Sequence, residues 1–358
     1  MKSILWSFMR SVTTIYVVAV IAIALGAHPS LAGNIITGAG ATFPYPIYSK
    51  WAHSYAKESG VRLNYQSIGS GGGIRQIKAG AVDFGASDAP LDAEELEASG
   101  LIQFPMVIGG VVPVVNIPGI GANQLRLDGP TLAAIFLGKI KYWDDPQVKG
   151  LNQGLKLPHI KIYVVHRSDG SGTTWIFSKY LCGVSPEWQR RVGFGKALKW
   201  PTGIGGKGNE GVSAYIKRLK GAIGYVEFAY AKQNRLASVM LKNMEGKFAA
   251  PSIESFQAAA AGADWANTPG MAVVLVNQPG NNTWPITGAS FILLHKKQHD
   301  KDKTLKMLHF FDWCFRHGKE MAESLLYVPL PDKVVQVVED LWAKEIRVNG
   351  EPVWPDTK

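Results

Sequence analysis

A short apolar strand, a glycine-rich loop and a helix, in that order and then repeated, open the chain after its first thirty-odd residues and leave few folds available. Asn34 to Thr37 reads as a strand, Gly38-Ala39-Gly40-Ala41-Thr42-Phe43 as the loop, and Pro44 as the opening of a helix, where a missing N–H costs nothing. Ile47, Trp51 and Tyr55 recur every four residues, which gives that helix one apolar face, and Gly60 is its stop. The plan then returns. Val61, Leu63 and Tyr65 alternate with polar neighbours as a strand does, Gly69-Ser70-Gly71-Gly72-Gly73 turns the chain, and Ile74 to Ala79 reads as a short helix. A third strand, Val82 to Ala86, delivers Ser87 and Asp88 at its carboxyl end. Such alternation implies an α/β fold with a mostly parallel sheet covered on both faces, and in such sheets ligands gather at the carboxyl ends of the strands.

The chain has 358 residues, enough for two ordinary domains. A second part starts after Asn116-Ile117-Pro118-Gly119. Ile160 to Val165 forms a strand, His166-Arg167-Ser168-Asp169-Gly170-Ser171-Gly172-Thr173 its loop, and Thr174 to Leu181 the following helix. Further strands are expected at Ala222 to Val226 and Ile286 to His295, and further helices at Thr304 to Phe315 and Val334 to Ile346.

Lys2 and Arg10 precede an apolar run from Ile15 to Leu25, and Ser30-Leu31-Ala32 offers a small-x-small cleavage site before Gly33. The run is short of the about 20 residues that span a bilayer. A cleaved export signal over residues 1–32 is expected, followed by a soluble chain with no lipid-anchor cysteine. The net charge is +10, and setting aside Lys2 and Arg10 leaves +8. The basic residues are scattered rather than clustered, and no zinc-finger or aromatic-basic pattern points to nucleic acid. Two cysteines, Cys182 and Cys314, are too few for a disulfide scaffold. Both sit in apolar, helix-like surroundings, which favours free thiols; a bridge between them stays open.

The glycine-rich loops carry the chemistry. Each precedes a helix whose first N–H groups lack intrahelical partners, and these donors together with the helix dipole favour an anion. Thr42, Ser70, Ser171 and Thr173 add hydroxyls, and Arg167 adds a forked positive charge suited to an oxyanion. One such loop is ordinarily just a helix cap; three together with Asp88 are harder to set aside. A carboxylate beside a bound anion repels it unless the anion has a proton to donate. Phosphate near neutral pH carries one and sulfate does not, so Asp88 would select phosphate.

With these residues in view, the chain resembles the periplasmic phosphate-binding component of bacterial high-affinity phosphate ABC transporters. The resemblance covers nearly all of the chain after the signal. It is carried by Thr37-Gly38-Ala39-Gly40-Ala41-Thr42-Phe43-Pro44, Gly69-Ser70-Gly71-Gly72, Asp83-Phe84-Gly85-Ala86-Ser87-Asp88-Ala89-Pro90, Ile108-Gly109-Gly110-Val111-Val112 and Leu137-Gly138-Lys139-Ile140. Arg167, Asp169-Gly170-Ser171-Gly172-Thr173, Gly205-Gly206-Lys207-Gly208-Asn209 and Gly221-Ala222-Ile223-Gly224-Tyr225-Val226-Glu227 extend it. The resemblance implies a bilobed class II periplasmic-binding-protein fold, two mixed-sheet lobes joined by crossing strands near Val112 to Pro118 and Trp284 to Ser290. Residues 33–114 and 287–358 would form lobe I, and residues 115–286 lobe II. It further implies that phosphate is held by Ala41, Thr42, Phe43, Ser70, Asp88, Arg167, Ser171, Gly172 and Thr173, with Asp169 orienting Arg167. Gly71 stands where some members have a second serine. The implied partners are an inner-membrane ABC permease and its ATPase, with a monomeric binding protein, no cofactor, no metal and no nucleic acid.

Enzymatic readings find little in the sequence. Gly203 to Gly208 has the wrong spacing for a phosphate-binding P-loop and lacks its Ser/Thr, and Gly38 to Phe43 lacks the third glycine of a dinucleotide fingerprint. Ser70 and Ser171 lack a nucleophile-elbow frame, and His166 reads as a strand-end residue rather than a base. The expected function is capture of phosphate without turnover.

Overall fold

The computed structural model describes residues 35–355; the export signal expected at residues 1–32 lies outside them. Strand β1 (Ile35–Gly40) leads to α1 (Tyr45–Ser59), β2 (Arg62–Ser67) to α2 (Ser70–Lys78), and β3 (Phe84–Ser87) to α3 (Ala93–Ser99). The long β4 (Leu101–Val115) follows, then β5 (Arg126–Leu127), α4 (Gly129–Phe136) and α5 (Pro146–Leu151). The middle of the chain gives β6 (Tyr163–Arg167), α6 (Gly172–Val184), α7 (Pro186–Arg191), β7 (Ile204–Gly206), α8 (Gly208–Arg218), β8 (Ala222–Glu227) and α9 (Phe228–Gln233). Small strands β9 (Ala237–Ser238), β10 (Met240–Lys242) and β11 (Phe248–Ala249) precede α10 (Ile253–Ala260). The chain closes with β12 (Thr287–His295), β13 (Lys297–Gln298), α11 (Lys301–His317), α12 (Lys319–Ser324), α13 (Asp332–Glu345), β14 (Arg347–Val348) and β15 (Glu351–Pro352).

The main sheet runs β2-β1-β3-β12-β4-β8-β6-β7, with β9 also on β4. β1 and β3 are parallel, as are β6 with β7 and with β8. The expectation of a mostly parallel sheet needs correcting at the centre, where β12 runs antiparallel to both β3 and β4 and β4 runs antiparallel to β8. Strand β4 makes the fold bilobed. Leu101 to Gly110 pair with β12, and Val111 to Val115 pair with β8, so one strand serves both halves. The change of partner falls at Gly110/Val111, just before the Val112 to Pro118 stretch where a crossing was expected. There the returning chain meets it: Val111 N–H donates to the Ile286 carbonyl at 2.8 Å, and the Trp284 indole donates to the Val111 carbonyl at 3.0 Å.

All of β4 is buried, as a strand covered on both faces must be. Opposite Ser290 and Phe291 its register slips: Ser290 faces Val107 and Phe291 faces Pro105, leaving Met106 as the extra residue of a bulge. Proline lacks the N–H that an unbroken ladder needs, so a bulge is where a central strand tolerates it.

Each half has its own aromatic packing. Ile47, Trp51 and Tyr55 are the buried face of α1, as their spacing predicted, and Tyr55 packs against Phe310 and Trp313 of α11. In the other half Phe177 stacks on Tyr225 with ring centroids 4.1 Å apart, and Phe136 closes on both. Burial of each such ring contributes about 1.5–3 kcal/mol. Gly60, at φ 75°, ends α1 as read from the sequence.

Two local expectations shift. β1 does not stop at Thr37 but continues to Gly40, because Gly38, Ala39 and Gly40 pair in register with Phe84, Gly85 and Ala86. Gly71, Gly72 and Gly73 are not a turn but part of α2, which starts at Ser70. The reason is packing: a β-carbon on Gly73 would lie 2.5 Å from the Gly40 α-carbon, so this helix presses backbone on backbone against β1. Cys182 and Cys314 are both free.

Candidate functional site

The loop ends of β1, β3 and β6 and the N-termini of α2 and α6 converge on one buried set of side chains. Thr42, Ser70, Asp88, Arg167, Ser171 and Thr173 are each at most 4% exposed, and Ala41 and Phe43 are fully buried. Gly172 joins them: a β-carbon there would stand 2.5 Å from Ser70 Oγ and 2.7 Å from Asp88 Oδ2, so only glycine fits. All nine sequence-predicted ligand residues are thus brought together, and Asp169 beside them.

Three phenols set the first loop. Tyr65, Tyr230 and Tyr327 donate to the carbonyls of Ala41, Thr42 and Phe43 respectively, each at 2.7 Å. Ala41 N–H is taken by the Ala86 carbonyl at 2.9 Å. With the carbonyls held from behind, the loop turns its Thr42 and Phe43 N–H groups away from any acceptor among the described residues.

The hydroxyls are arranged as donors. Ser70 Oγ accepts from the N–H groups of Asp88 and Gly172, both at 3.1 Å. Asn209 lies beneath the pocket and donates from Nδ2 to Thr42 Oγ1 at 2.7 Å and to Thr173 Oγ1 at 3.4 Å. Thr173 Oγ1 also accepts from Arg167 at 3.2 Å, and Ser171 Oγ caps α6 by accepting from Thr174 N–H at 3.0 Å. A hydroxyl whose lone pairs are engaged has its proton left to give.

Arg167 is clamped by a bidentate pair: Nε to Asp169 Oδ1 at 2.8 Å and Nη2 to Asp169 Oδ2 at 2.5 Å. Burial disfavours the guanidinium charge, but the Asp169 carboxylate outweighs it and holds Arg167 charged. Asp169 in turn sits below the usual carboxylate range: burial pushes it up, and Arg167 more than offsets that. It also accepts from Gly208 N–H at 3.0 Å, which ties β6 to the start of α8. Gly71 N–H donates to the Gly170 carbonyl at 2.8 Å, bringing the α2 loop against the β6 loop.

Asp88 is the exception in a donor-lined pocket. Burial lifts its carboxyl to about 7, against the lowering influence of the Ser290 hydroxyl, the Arg167 charge and Ser70. Its Oδ2 faces Ser70 at 3.5 Å, and its Oδ1 has no hydrogen-bond partner among the described residues. The site can therefore clasp a small oxyanion with hydroxyls, N–H groups and one fixed cation, and accept one proton from it.

Sequence reasoning missed Asn209 as a site residue and missed all three tyrosines. Asn209 lay inside a quoted motif, yet nothing in its spacing pointed to Thr42 and Thr173. Glu227 was likewise only part of a motif. It is fully buried, burial pushes it well above the usual range, and it meets the Tyr327 hydroxyl at 2.9 Å beneath the Phe43 loop. Among the described residues no group of three His, Cys, Asp or Glu could hold a metal ion, and no helix is long and apolar enough to cross a membrane.

Comparison with known proteins adds the family. Residues 26–316 match the PBP superfamily domain. The chain is 57% identical over 320 residues to the phosphate-binding protein PstS of Pasteurella multocida, covering 89% of this chain and 93% of that protein. It is 55% identical over 323 residues to the protein of the same name from Haemophilus influenzae, covering 90% and 97%. Among solved structures, a phosphate-binding protein from Stenotrophomonas maltophilia superposes with a TM-score of 0.62 at 18% identity, covering 87% of this chain and 94% of that one, a likeness of fold.

Proposed function

The chain belongs to the phosphate-binding proteins of the PBP superfamily, and from that premise we propose that it captures inorganic phosphate and delivers it to an inner-membrane ABC permease and ATPase. The observation that carries this reading is the buried Asp88 carboxyl in a pocket otherwise made of donors. A protonated tetrahedral anion satisfies both kinds of group; a fully deprotonated one leaves the carboxylate facing a charge of its own sign.

In this reading phosphate takes N–H bonds from Thr42 and Phe43 and hydroxyl bonds from Thr42, Ser70, Ser171 and Thr173, while Gly172 lets it approach the backbone closely. Arg167 neutralises it, held in place by Asp169. Charge-assisted bonds of this kind contribute about 1.5–3 kcal/mol each, enough for tight binding once several converge. One lobe is built around β1, β3 and β12 and the other around β6 and β8, with the ligand between them favouring closure because it touches both. The protein acts as a monomer in the periplasm, released from the signal at residues 1–32. We read it as a binding protein without turnover, as the substrate-binding family to which it belongs suggests.

Calorimetry on the mature chain tests this. At pH 8, above the Asp88 value of about 7, phosphate should bind at roughly micromolar affinity or tighter, sulfate in large excess should not displace it, and a phosphate monoester should remain unhydrolysed. Equal binding of sulfate and phosphate would sink the proposal, and steady release of phosphate from the ester would overturn the non-enzymatic part.

A further inference from the structure

Near Asp88 are two buried hydroxyls, those of Ser290 and Tyr48, that the binding scheme does not use. β12 sets Phe291 opposite Ser87, and continuing the antiparallel register places Ser290 beside Asp88. The bulge of β4 falls at this same residue, opposite Ser290 and Phe291. Bulges beside sites re-aim a side chain out of simple alternation. Ser290 is fully buried and Tyr48, from α1, is 3% exposed. The Ser290 hydroxyl is close enough to favour the charged form of both the Tyr48 phenol and the Asp88 carboxyl, against the burial that raises them. Yet Ser290 Oγ, Tyr48 OH and Asp88 Oδ1 each lack a partner at full hydrogen-bond geometry among the described residues. Three buried oxygens, two of them able to donate and one able only to accept, are thus left without a partner around Asp88.

We infer that Ser290, backed by Tyr48, is a specificity-positioning residue for Asp88. The Ser290 hydroxyl donates to Asp88 Oδ1, the Tyr48 phenol donates to Ser290 Oγ, and Asp88 Oδ2 is left bare on the Ser70 and Gly172 side to accept the ligand's proton. The inference rests on the phosphate reading above and deepens it. Arg167, Tyr48, Tyr65, Glu227 and Tyr327 are the titratable or charged groups that act on Asp88. Burial pushes the three phenols further above their usual range and raises the Glu227 carboxyl, and Asp169 keeps Arg167 charged. Arg167 and the phenols keep their state near neutrality. The balance at Asp88 is therefore set by burial, which favours its proton, against donors such as Ser290, which favour the carboxylate. Lose the Ser290 donor, and Asp88 holds its own proton to higher pH. A protonated carboxyl can donate, and would then welcome sulfate.

Phosphate binding and sulfate competition measured by calorimetry from pH 5 to 9 in Ser290→Ala, Ser290→Thr and Tyr48→Phe, beside wild type and Asp88→Asn, test this. Ser290→Ala should extend sulfate competition upward by about one pH unit and weaken phosphate at pH 8 by roughly tenfold. Tyr48→Phe, which keeps the ring, should move the profile the same way by less, and Ser290→Thr should restore it. A profile for Ser290→Ala superimposable on wild type, or a Ser290→Thr no better than Ser290→Ala, overturns the inference. Should Ser290→Ala not fold, an unchanged Tyr48→Phe profile overturns it equally. Failure of the phosphate reading looks different: wild type itself would not prefer phosphate, or Asp88→Asn would reject sulfate as wild type does.

Discussion

A carboxyl group whose acidity is set by burial shapes the stability of the empty protein as well as its selectivity. Asp88 rises from 3.8 to about 7 on folding, so between those values the folded state binds more protons than the unfolded state. Stability from this residue is greatest below pH 4 and declines as pH rises towards and through 7. Glu227 pulls in the same direction, being also lifted by burial. Asp88→Asn isolates the first contribution. At pH 8 without phosphate the variant should be more stable than wild type by on the order of 2–4 kcal/mol in urea unfolding, with the gap closing by pH 4. A variant equally stable at pH 8 would mean that the carboxylate is already accommodated. Gly172 makes the complementary point about shape. A methyl at Gly172→Ala would lie 2.5 Å from Ser70 Oγ and 2.7 Å from Asp88 Oδ2, in the proposed phosphate pocket. Phosphate binding should fall by at least about a hundredfold, some 2.7 kcal/mol, with the circular dichroism spectrum unchanged; retained affinity would place the ligand elsewhere.

At the scale of elements, what could be read in advance was whatever sequence-local physics decides. The strand, loop and helix units around Thr42 and Asp88 were legible because period and glycine placement are local signals. So was the Arg167–Asp169 pair, two residues apart on one loop. Tyr65, Tyr230 and Tyr327 were not, because each reaches its carbonyl across 24, 188 or 284 residues and only the assembled sheet sets those meetings. β4 escaped for another reason: Pro105, Gly109-Gly110 and Pro113 break its pattern, and the bulge and change of partner that tolerate them are tertiary. The start of α2 was read four residues late because Gly71 to Gly73 carry a turn's composition. Their use is close packing, which Gly73→Ala should expose. The new methyl would meet Gly40 backbone rather than a side chain able to move aside. A loss of about 3 kcal/mol, at the upper end for overpacking, is expected in chemical denaturation. Phosphate affinity should drop with it, since Ser70 rides on the displaced helix. A loss below about 0.5 kcal/mol would mean that α2 lifts off β1 at little cost.

For the whole molecule, the consequence follows from where the donors come from. Thr42, Phe43, Ser70 and Asp88 stand on the half built around β1, β3 and β12; Arg167, Ser171, Gly172 and Thr173 stand on the half built around β6 and β8. Among the described residues, β4 and the return near Trp284 join the sheet portions at Val111. An anion gripped by both halves must therefore raise the stability of the arrangement in which they meet, while an anion gripped by one half would leave the other free to unfold alone. For a ligand binding only the folded state, stabilisation grows as the logarithm of its concentration over Kd and reaches about 2.7 kcal/mol at a hundredfold excess. Phosphate at that excess should raise the denaturation midpoint of the whole chain in one cooperative step, with tryptophans of the two halves, Trp51 and Trp188, reporting coincident transitions. Sulfate at the same concentration should leave the midpoint where it was. Two separated transitions in the presence of phosphate, with only one responding to it, would show that the ligand is held by one half, and the proposed closure around it would fall.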